Sequence, residues 1–499
     1  MKTKLIFLLP ITAFLFLFSG CKDKDDDDSR EDKENAYVNS WIYEQMDLYY
    51  YWNKNLPDIK KTNTYSSPND YFEGLLYMYK QKNGDRFSWI QENYVDLLNS
   101  LSGVSRDVGF EYITYTYENS SEAEFCVLYT KENTDAATKL KRGEFITHVD
   151  GTAITKENYP FVMAKGSNSY KLTVVNPETN ILRTEDIRVV ENYKENPIYY
   201  TNIYEVEGKK IGYIVYNFFA ADNGENNRKY DLALAQKFLE FKQAGITDLI
   251  LDLRYNGGGL INSAVYMASA IVPNRKEKID DPTKFFARSE YNDDLQAYYK
   301  REYGADALNY YFENGIEEPA LGGAVPVHRY IPELGIEKLH VIATRFSASA
   351  SELIINGLRA YMPVVLIGET TVGKNVGSYS LYKENDNRNK WGMQPIVLKL
   401  FNKNGDLDDY PLGFTPDNDK TVEELRYVLG QLGDEDELLL STAIAAVTGK
   451  VKKMKTTKVG AGLNYIQGSS SLDCKPDAYQ MFTNDIRLKN LDLKTVKNK

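Results

Sequence analysis

Between Lys209 and Glu369 apolar strand-like runs alternate with helix-like ones, and chemically active residue types gather just after the strands. "KKIGYIVYNF" (209–218) reads as a strand, "YDLALAQKFLEFKQAG" as a helix closed by Gly245, and "TDLILDL" as a buried strand. After "RYNGGG" come a helix "LINSAVYMASAIV", a strand "LHVIAT", the serine-rich "TRFSASASELI" opening a helix, and a strand "MPVVLIGE". Strands alternating with helices build an α/β layer around a mostly parallel sheet. Ligands bind such sheets at the carboxyl ends of the strands. The Gly-rich and Ser-rich stretches both sit there.

The rest of the 499 residues divides around this block, as a chain too long for one core must. Lys2 and Lys4, the apolar "LIFLLPITAFLFLF" and small residues before Cys21 read as an export signal over residues 1–20. "FSGC" resembles a bacterial lipobox, which implies lipidation of Cys21 and a membrane anchor. Residues 21–35 form a charged run expected to be a disordered tether, and resemble the acidic export tag of surface lipoproteins. Residues 36–95 read as helical, with Ser67 as N-cap and Pro68 in the first turn of a second helix, and carry no evident chemistry. Residues 97–193 alternate in short runs, a small β-rich domain. The main α/β unit spans 196–448, with a charged, Tyr-rich insertion at 275–335, and 449–499 is a terminal extension.

A net charge of −11 with no basic stripe excludes a nucleic-acid binder. Beyond Cys21 only Cys126 and Cys474 remain, in dissimilar contexts, so no structural disulfide is expected, and no spacing suits a metal.

A serine hydroxyl is a weak nucleophile until a base takes its proton. Ser349 and Glu352 also satisfy the S-x-x-E capping box, a purely structural reading. His148, His328 and His340 are the only histidines, and His340 opens the strand whose far end precedes Ser349, so a Ser-His-Asp triad is not expected. Lysine is the alternative base when burial lowers its pKa. Lys374, leaving the strand after the serine helix, is the candidate.

"RFSASASELI", "VVLIGETTVGKN" and "LDLRYNGGGL" together resemble the signature segments of the C-terminal processing peptidases, or tail-specific proteases. That resemblance implies a crotonase/Clp-protease-like catalytic domain and a serine endopeptidase acting near a free C-terminus through an acyl-enzyme. Ser349 would be the nucleophile and Lys374 the general base. The oxyanion hole would comprise the Ala350 amide and that of Gly258 or Gly259. Many relatives have a glutamine where this chain has Ser378, so the third member is Glu352 or Ser378. "AATKLKRGEFITHVDGTAIT" resembles part of a PDZ domain, which implies substrate binding at "VGFEY" through Gly109 and Phe110.

"GETTVGK" also satisfies a phosphate-loop pattern, but Asn375 stands where Ser or Thr is needed and strand-like residues follow, so no nucleotide is expected. The resulting expectation is an outer-membrane lipoprotein, periplasmic or surface-displayed, that cleaves polypeptides with a free C-terminus and needs no cofactor or metal. The competing reading is an inactive peptide-binding lipoprotein.

Overall fold

A computed structural model describes residues 24–81, 83–163, 166–318, 327–405, 409–450, 465–475, 478–489 and 491–497. The apolar leader and Cys21 lie outside the described residues.

Helix α1 (Lys24–Tyr49) runs back through most of the acidic segment read above as a disordered tether. The difference has a physical reason: Val38, Trp41, Ile42 and Met46 are buried and fix the helix. Propagation from a fixed nucleus is easy, and the aspartates fall at the positive end of its dipole. Helix α2 (Pro68–Leu75) starts as read, with Ser67 Oγ accepting the Asp70 amide.

A small antiparallel domain follows, built on β1 (Phe110–Tyr117), β2 (Ala123–Thr130), β3 (Phe145–Val149), β4 (Ser169–Val175) and β5 (Leu182–Arg188). Its own core gathers Phe125, Val127, Ile146, Leu172 and Val174.

The α/β unit opens with β6 (Ile198–Val206) and β7 (Lys209–Tyr216), then α3 (Lys229–Ala244), closed by Gly245 at φ +70°. Next come β8 (Asp248–Asp252), the two-residue β9 (Gly259–Leu260) and α4 (Ile261–Ile271). β10 (Ala287–Tyr291) and β11 (Asn309–Tyr310) lie within 275–335. They are followed by β12 (Leu339–Ala343), α5 (Ala350–Arg359), β13 (Val364–Gly368), β14 (Val376–Tyr379), β15 (Ile396–Phe401) and α6 (Leu438–Thr448). A five-stranded sheet has the order β6-β7-β8-β12-β13 and is parallel except for β6. All five residues of β8 and of β12 are buried, as their unbroken apolar runs require.

The terminal extension is no appendage. β16 (Tyr465–Ser470) pairs antiparallel with β1, and β17 (Met481–Thr483) enters a six-stranded sheet of order β9-β17-β14-β15-β10-β11. The same sheet takes in β10 and β11, so the charged insertion supplies framework as well as surface.

Buried ions clamp the small domain to the α/β unit. Arg142, just before β3, donates to Glu424 at 2.8 Å. Arg254 at the end of β8 donates to the same carboxylate and to Glu437, each at 2.8 Å. Cys126 is buried and Cys474 exposed, and both are free thiols.

Candidate active site

The turn after β12 carries three serines, and their hydroxyls have different fates. Ser347 Oγ donates to the Leu253 carbonyl at 2.7 Å and accepts the Thr344 amide, while Ser351 Oγ donates to the Asn256 carbonyl at 3.0 Å. These two tie the helix start to the turn after β8. Ser349 Oγ is fully buried and has no hydrogen-bond partner among the described residues. The capping-box arrangement is present, with the Glu352 carboxylate accepting the Ser349 amide at 2.8 Å, but the Ser349 hydroxyl makes no hydrogen bond to the helix start. Ser349 also holds φ +63°, a region that non-glycine residues enter at an energetic cost and that recurs at nucleophile turns.

Lys374 lies in the segment between β13 and β14, fully buried, with Nζ lacking a hydrogen-bond partner among the described residues. Burial pulls its pKa from 10.5 down to about 7; Asp85 and Glu352 oppose this and Arg86 adds to it. An ammonium taken out of water without a partner is costly, so the neutral amine becomes accessible near neutral pH. The phosphate-loop pattern ends as expected from the sequence, with strand β14 and no helix after Asn375.

Glu352 brings the two halves together. One oxygen accepts the amides of both Ser349 and Lys374 at 2.8 Å, and the other accepts the Gly373 amide at 2.7 Å and the Thr371 hydroxyl at 2.5 Å. The carboxylate therefore fixes the backbone of both residues. Neither residue weighed as third member hydrogen-bonds the lysine amine: Ser378 Oγ donates instead to the Met481 carbonyl at 3.1 Å.

The glycine turn lies against this pair. An ideal Cβ on Gly258 would stand 2.5 Å from Ser349 Cβ, and φ of +111° and +135° at Gly258 and Gly259 is glycine territory in any case. The two glycines, left as alternatives by the sequence, now differ. The Gly258 amide donates to Asn256 Oδ1 at 2.8 Å. The Gly258 carbonyl and the Leu260 amide both pair with Phe219, so the intervening Gly259 amide points to the opposite side, toward β17. Ala350 is the first residue of α5, where an amide has no intrahelical acceptor. Gly259 and Ala350 are thus the better-placed donors for a developing oxyanion.

Asn256 organises the turn and was missed in the sequence. Its Nδ2 donates to the Tyr216 carbonyl at 2.8 Å, and its own carbonyl receives Ala348 and Ser351. Also missed was that residues 85–87, at the end of the helical N-terminal region, pack around Lys374. Phe87 lies under Lys374 Nζ with 4.8 Å to the ring centroid, and Arg86 donates to the Gly373 carbonyl at 3.0 Å. Asp85 is buried, anchored by Tyr50 and the Ser88 amide at 2.9 Å each.

At the small-domain residues read as substrate-binding, one backbone donor is already engaged. The Gly109 amide donates to Asp107 Oδ1 at 2.7 Å, and Phe110 is buried in the domain core. The reason is the local acid: Asp107 folds back in a two-residue turn onto the amide a carboxylate would need. The three histidines are elsewhere; His340 is buried at the start of β12, where burial lowers its pKa to about 4. Among the described residues no helix is long and apolar enough to cross a membrane.

Comparison with known proteins follows the same lines. The model of peptidase family S41 matches residues 210–418, and that of the S41 N-terminal domain matches residues 37–89. A carboxyl-terminal-processing protease from Picosynechococcus sp. (strain ATCC 27264 / PCC 7002 / PR-6) is 25% identical over 284 residues, 57% of this chain and 56% of that protein. The chain thus matches little more than half the length of that curated relative. The crystal structure of an S41 protease from Bacteroides fragilis NCTC 9343 superimposes with a TM-score of 0.62 at 22% identity, covering 82% of this chain and 97% of that one. That likeness establishes the shared fold.

Proposed function

Because the chain belongs to peptidase family S41, the C-terminal processing peptidases, we propose that it is a serine endopeptidase working through Ser349 and Lys374. The observation that carries the proposal is the pairing of a buried hydroxyl excused from capping with a buried lysine near pKa 7, both held by one Glu352 oxygen. Lys374 takes the Ser349 proton as Oγ attacks the scissile carbonyl. The Ala350 and Gly259 amides receive the oxyanion, and the protonated lysine returns its proton to the leaving amine. Water then repeats the relay on the acyl-enzyme. Ser349 Oγ and Lys374 Nζ are not hydrogen-bonded to each other here, a looseness common before substrate closes a site.

The substrate is a polypeptide near its free C-terminus, admitted between the small domain, read as PDZ-like, and the glycine turn. The cleft there has a volume of about 860 Å³. No metal, cofactor, nucleotide or nucleic acid takes part in this reading. Cys21 carries the lipid anchor, and the protein stands at the outer membrane, facing the periplasm or the cell exterior.

Incubating the purified protein with a peptide bearing an apolar free C-terminus tests the reading. Cleavage that survives chelators and disappears in Ser349→Ala and Lys374→Ala supports it. Binding without cleavage in the wild type and both variants would instead establish an inactive peptide-binding lipoprotein.

A further inference from the structure

Residues 465–475 lie at the edge of the small domain and residues 478–483 beside the catalytic serine, and both pieces make strand contacts. At the first end β16 pairs antiparallel with β1, in the register Tyr465↔Tyr117, Ile466↔Thr116 and Gln467↔Tyr115. Without β16, β1 would be the edge strand of that sheet. An uncovered edge is a ready template for an added peptide strand.

Between the two ends the contacts are polar. The Tyr112 amide donates to Ser471 Oγ at 2.8 Å, and Ser470 Oγ donates to the Tyr112 carbonyl at 2.8 Å. Lys475 Nζ reaches Glu111 at 2.6 Å, in a cluster where Lys131 also meets Glu111, Glu195 and Asp107. Three carboxylates face two ammonium groups, so removing Lys475 leaves an acidic pocket in need of a cation. Lys131 and Lys475 bring Glu111 down to about 2 although burial acts the other way.

At the far end the chain enters the catalytic slot. An ideal Cβ on Gly258 would come 2.4 Å from the Gln480 carbonyl oxygen and 2.6 Å from Ser349 Oγ, so one methyl-sized group would touch both. β17 then lies between the glycine strand β9 and the strand β14 that follows Lys374, parallel to each, with Gly259↔Met481 and Ser378↔Phe482 in register. The Gly259 amide thus faces this strand, where a scissile carbonyl would need it.

The first part of the segment, Tyr465–Lys475, is built for exchange more than for permanence, whereas Met481 in β17 is fully buried in the main core. "QGSSSLD" (467–473) buries little apolar surface, and what holds it is main-chain pairing and hydroxyl bonds that any extended peptide reproduces. Further on, the chain is tethered, with Tyr49 Oη donating to the Leu488 carbonyl at 2.8 Å. A ligand covalently attached in this way competes at a high effective concentration.

We propose that Tyr465–Lys475 is a displaceable internal ligand, filling the peptide edge of β1 beside the catalytic slot until a polypeptide substrate replaces it, while fully buried Met481 keeps β17 in its sheet. The link to catalysis rests on the peptidase reading above. The segment also defines the partner: an extended strand with small polar residues along β1 and a basic side chain where Lys475 meets Glu111.

The test pins the strap in place. Thr116 and Ile466 are opposite one another in an antiparallel ladder, so a Thr116→Cys/Ile466→Cys pair in the full-length chain, with Cys474→Ser to remove the exposed thiol, permits a reversible crosslink confirmed by mass. The probe is a fluorescent synthetic peptide of residues 465–475, with serine at 474, followed by anisotropy. The reduced protein is expected to bind it at least about tenfold more tightly than the oxidised protein, because only there can the tethered copy leave. Lys475→Gln, which loosens the tethered copy and not the probe, is expected to bind tighter than its parent. Equal binding by the oxidised, reduced and Lys475→Gln proteins, or binding by none, overturns the proposal. Peptide binding needs no turnover, so a protein that binds in this pattern yet cleaves nothing sinks the peptidase reading and leaves the internal ligand standing.

Discussion

Lys131 and Lys374 are both lysines that the fold withdraws from water, with 2% and 0% of their surface exposed, and they end in opposite states. Burial presses each toward the neutral amine. Around Lys131 three carboxylates overcome it, with Glu111 at 2.8 Å and Glu195 at 2.9 Å, and hold the pKa well above the ordinary lysine value. Around Lys374 the two carboxylates are engaged elsewhere, Asp85 by Tyr50 and the Ser88 amide and Glu352 by backbone amides and the Thr371 hydroxyl, and the aromatic face of Phe87 lies under the amine. Burial therefore wins there and the value falls to about 7. What separates a structural cation from a base is which way the neighbouring acids point.

If that contrast is right, replacing the base by an always-charged cation abolishes chemistry while keeping the charge. Lys374→Arg is expected to lower kcat/KM by at least about 10⁴, since the guanidinium does not deprotonate. Steady-state kinetics on the peptide substrate reads this directly, and residual activity within tenfold of wild type would remove Lys374 from the proton relay.

Next in size is stability. Lys131→Met leaves buried Glu111 and the partly buried Asp107 and Glu195 short of a cation and is expected to destabilise by about 3–5 kcal/mol, whereas Lys374→Met, which removes an ill-solvated amine, is expected to be neutral or stabilising. Denaturant midpoints of the two variants give the comparison. Similar losses from both would mean that the two lysines are not different in kind.

The pH dependence follows from the same asymmetry. With Lys374 near 7, kcat/KM is expected to rise through that pH and to fall about tenfold per unit below it. Stability moves in the same direction. Between about 7 and 10.5 the unfolded chain holds a proton on this lysine that the folded chain has lost, so stability gains with rising pH across that window. Below 7 both states are protonated and the penalty for the buried ammonium is at its full value. Lys374→Met should flatten the stability profile, whereas Lys131 variants should leave the kinetic profile of the enzyme where it is.

How far the sequence could reach is clearest at the three serines. Spacing singled out Ser349 and Lys374, but whether a hydroxyl caps a helix or stays free is decided by a hydrogen bond, and only coordinates show that Glu352 takes the amide while Oγ abstains. The Ser67 cap, the Gly245 stop and the strand after Asn375 were legible because each depends on near neighbours in the chain. Asp85, Arg86 and Phe87 were not, since they reach Lys374 from almost three hundred residues away and "DRF" has no signature of its own. At the Gly109 loop the contact that spacing could not show is local, the Asp107 side chain accepting its amide. β16 and β17 escaped notice because short polar strands lack the alternation that marks a half-buried strand, and their partners lie far upstream.

The smallest effect is expected at Ser378, and it bears on what orients the base. In the sequence this position competed with Glu352 for the third catalytic place; in the structure its buried hydroxyl holds the Met481 carbonyl at 3.1 Å and has no bond to the lysine. Ser378→Ala should therefore change kcat by less than about threefold, while Glu352→Gln, which presents an amide donor to a nest of four donors, should lower it by about 10- to 100-fold. A large loss in Ser378→Ala would mean that the hydroxyl turns from the Met481 carbonyl to the lysine when substrate closes the site.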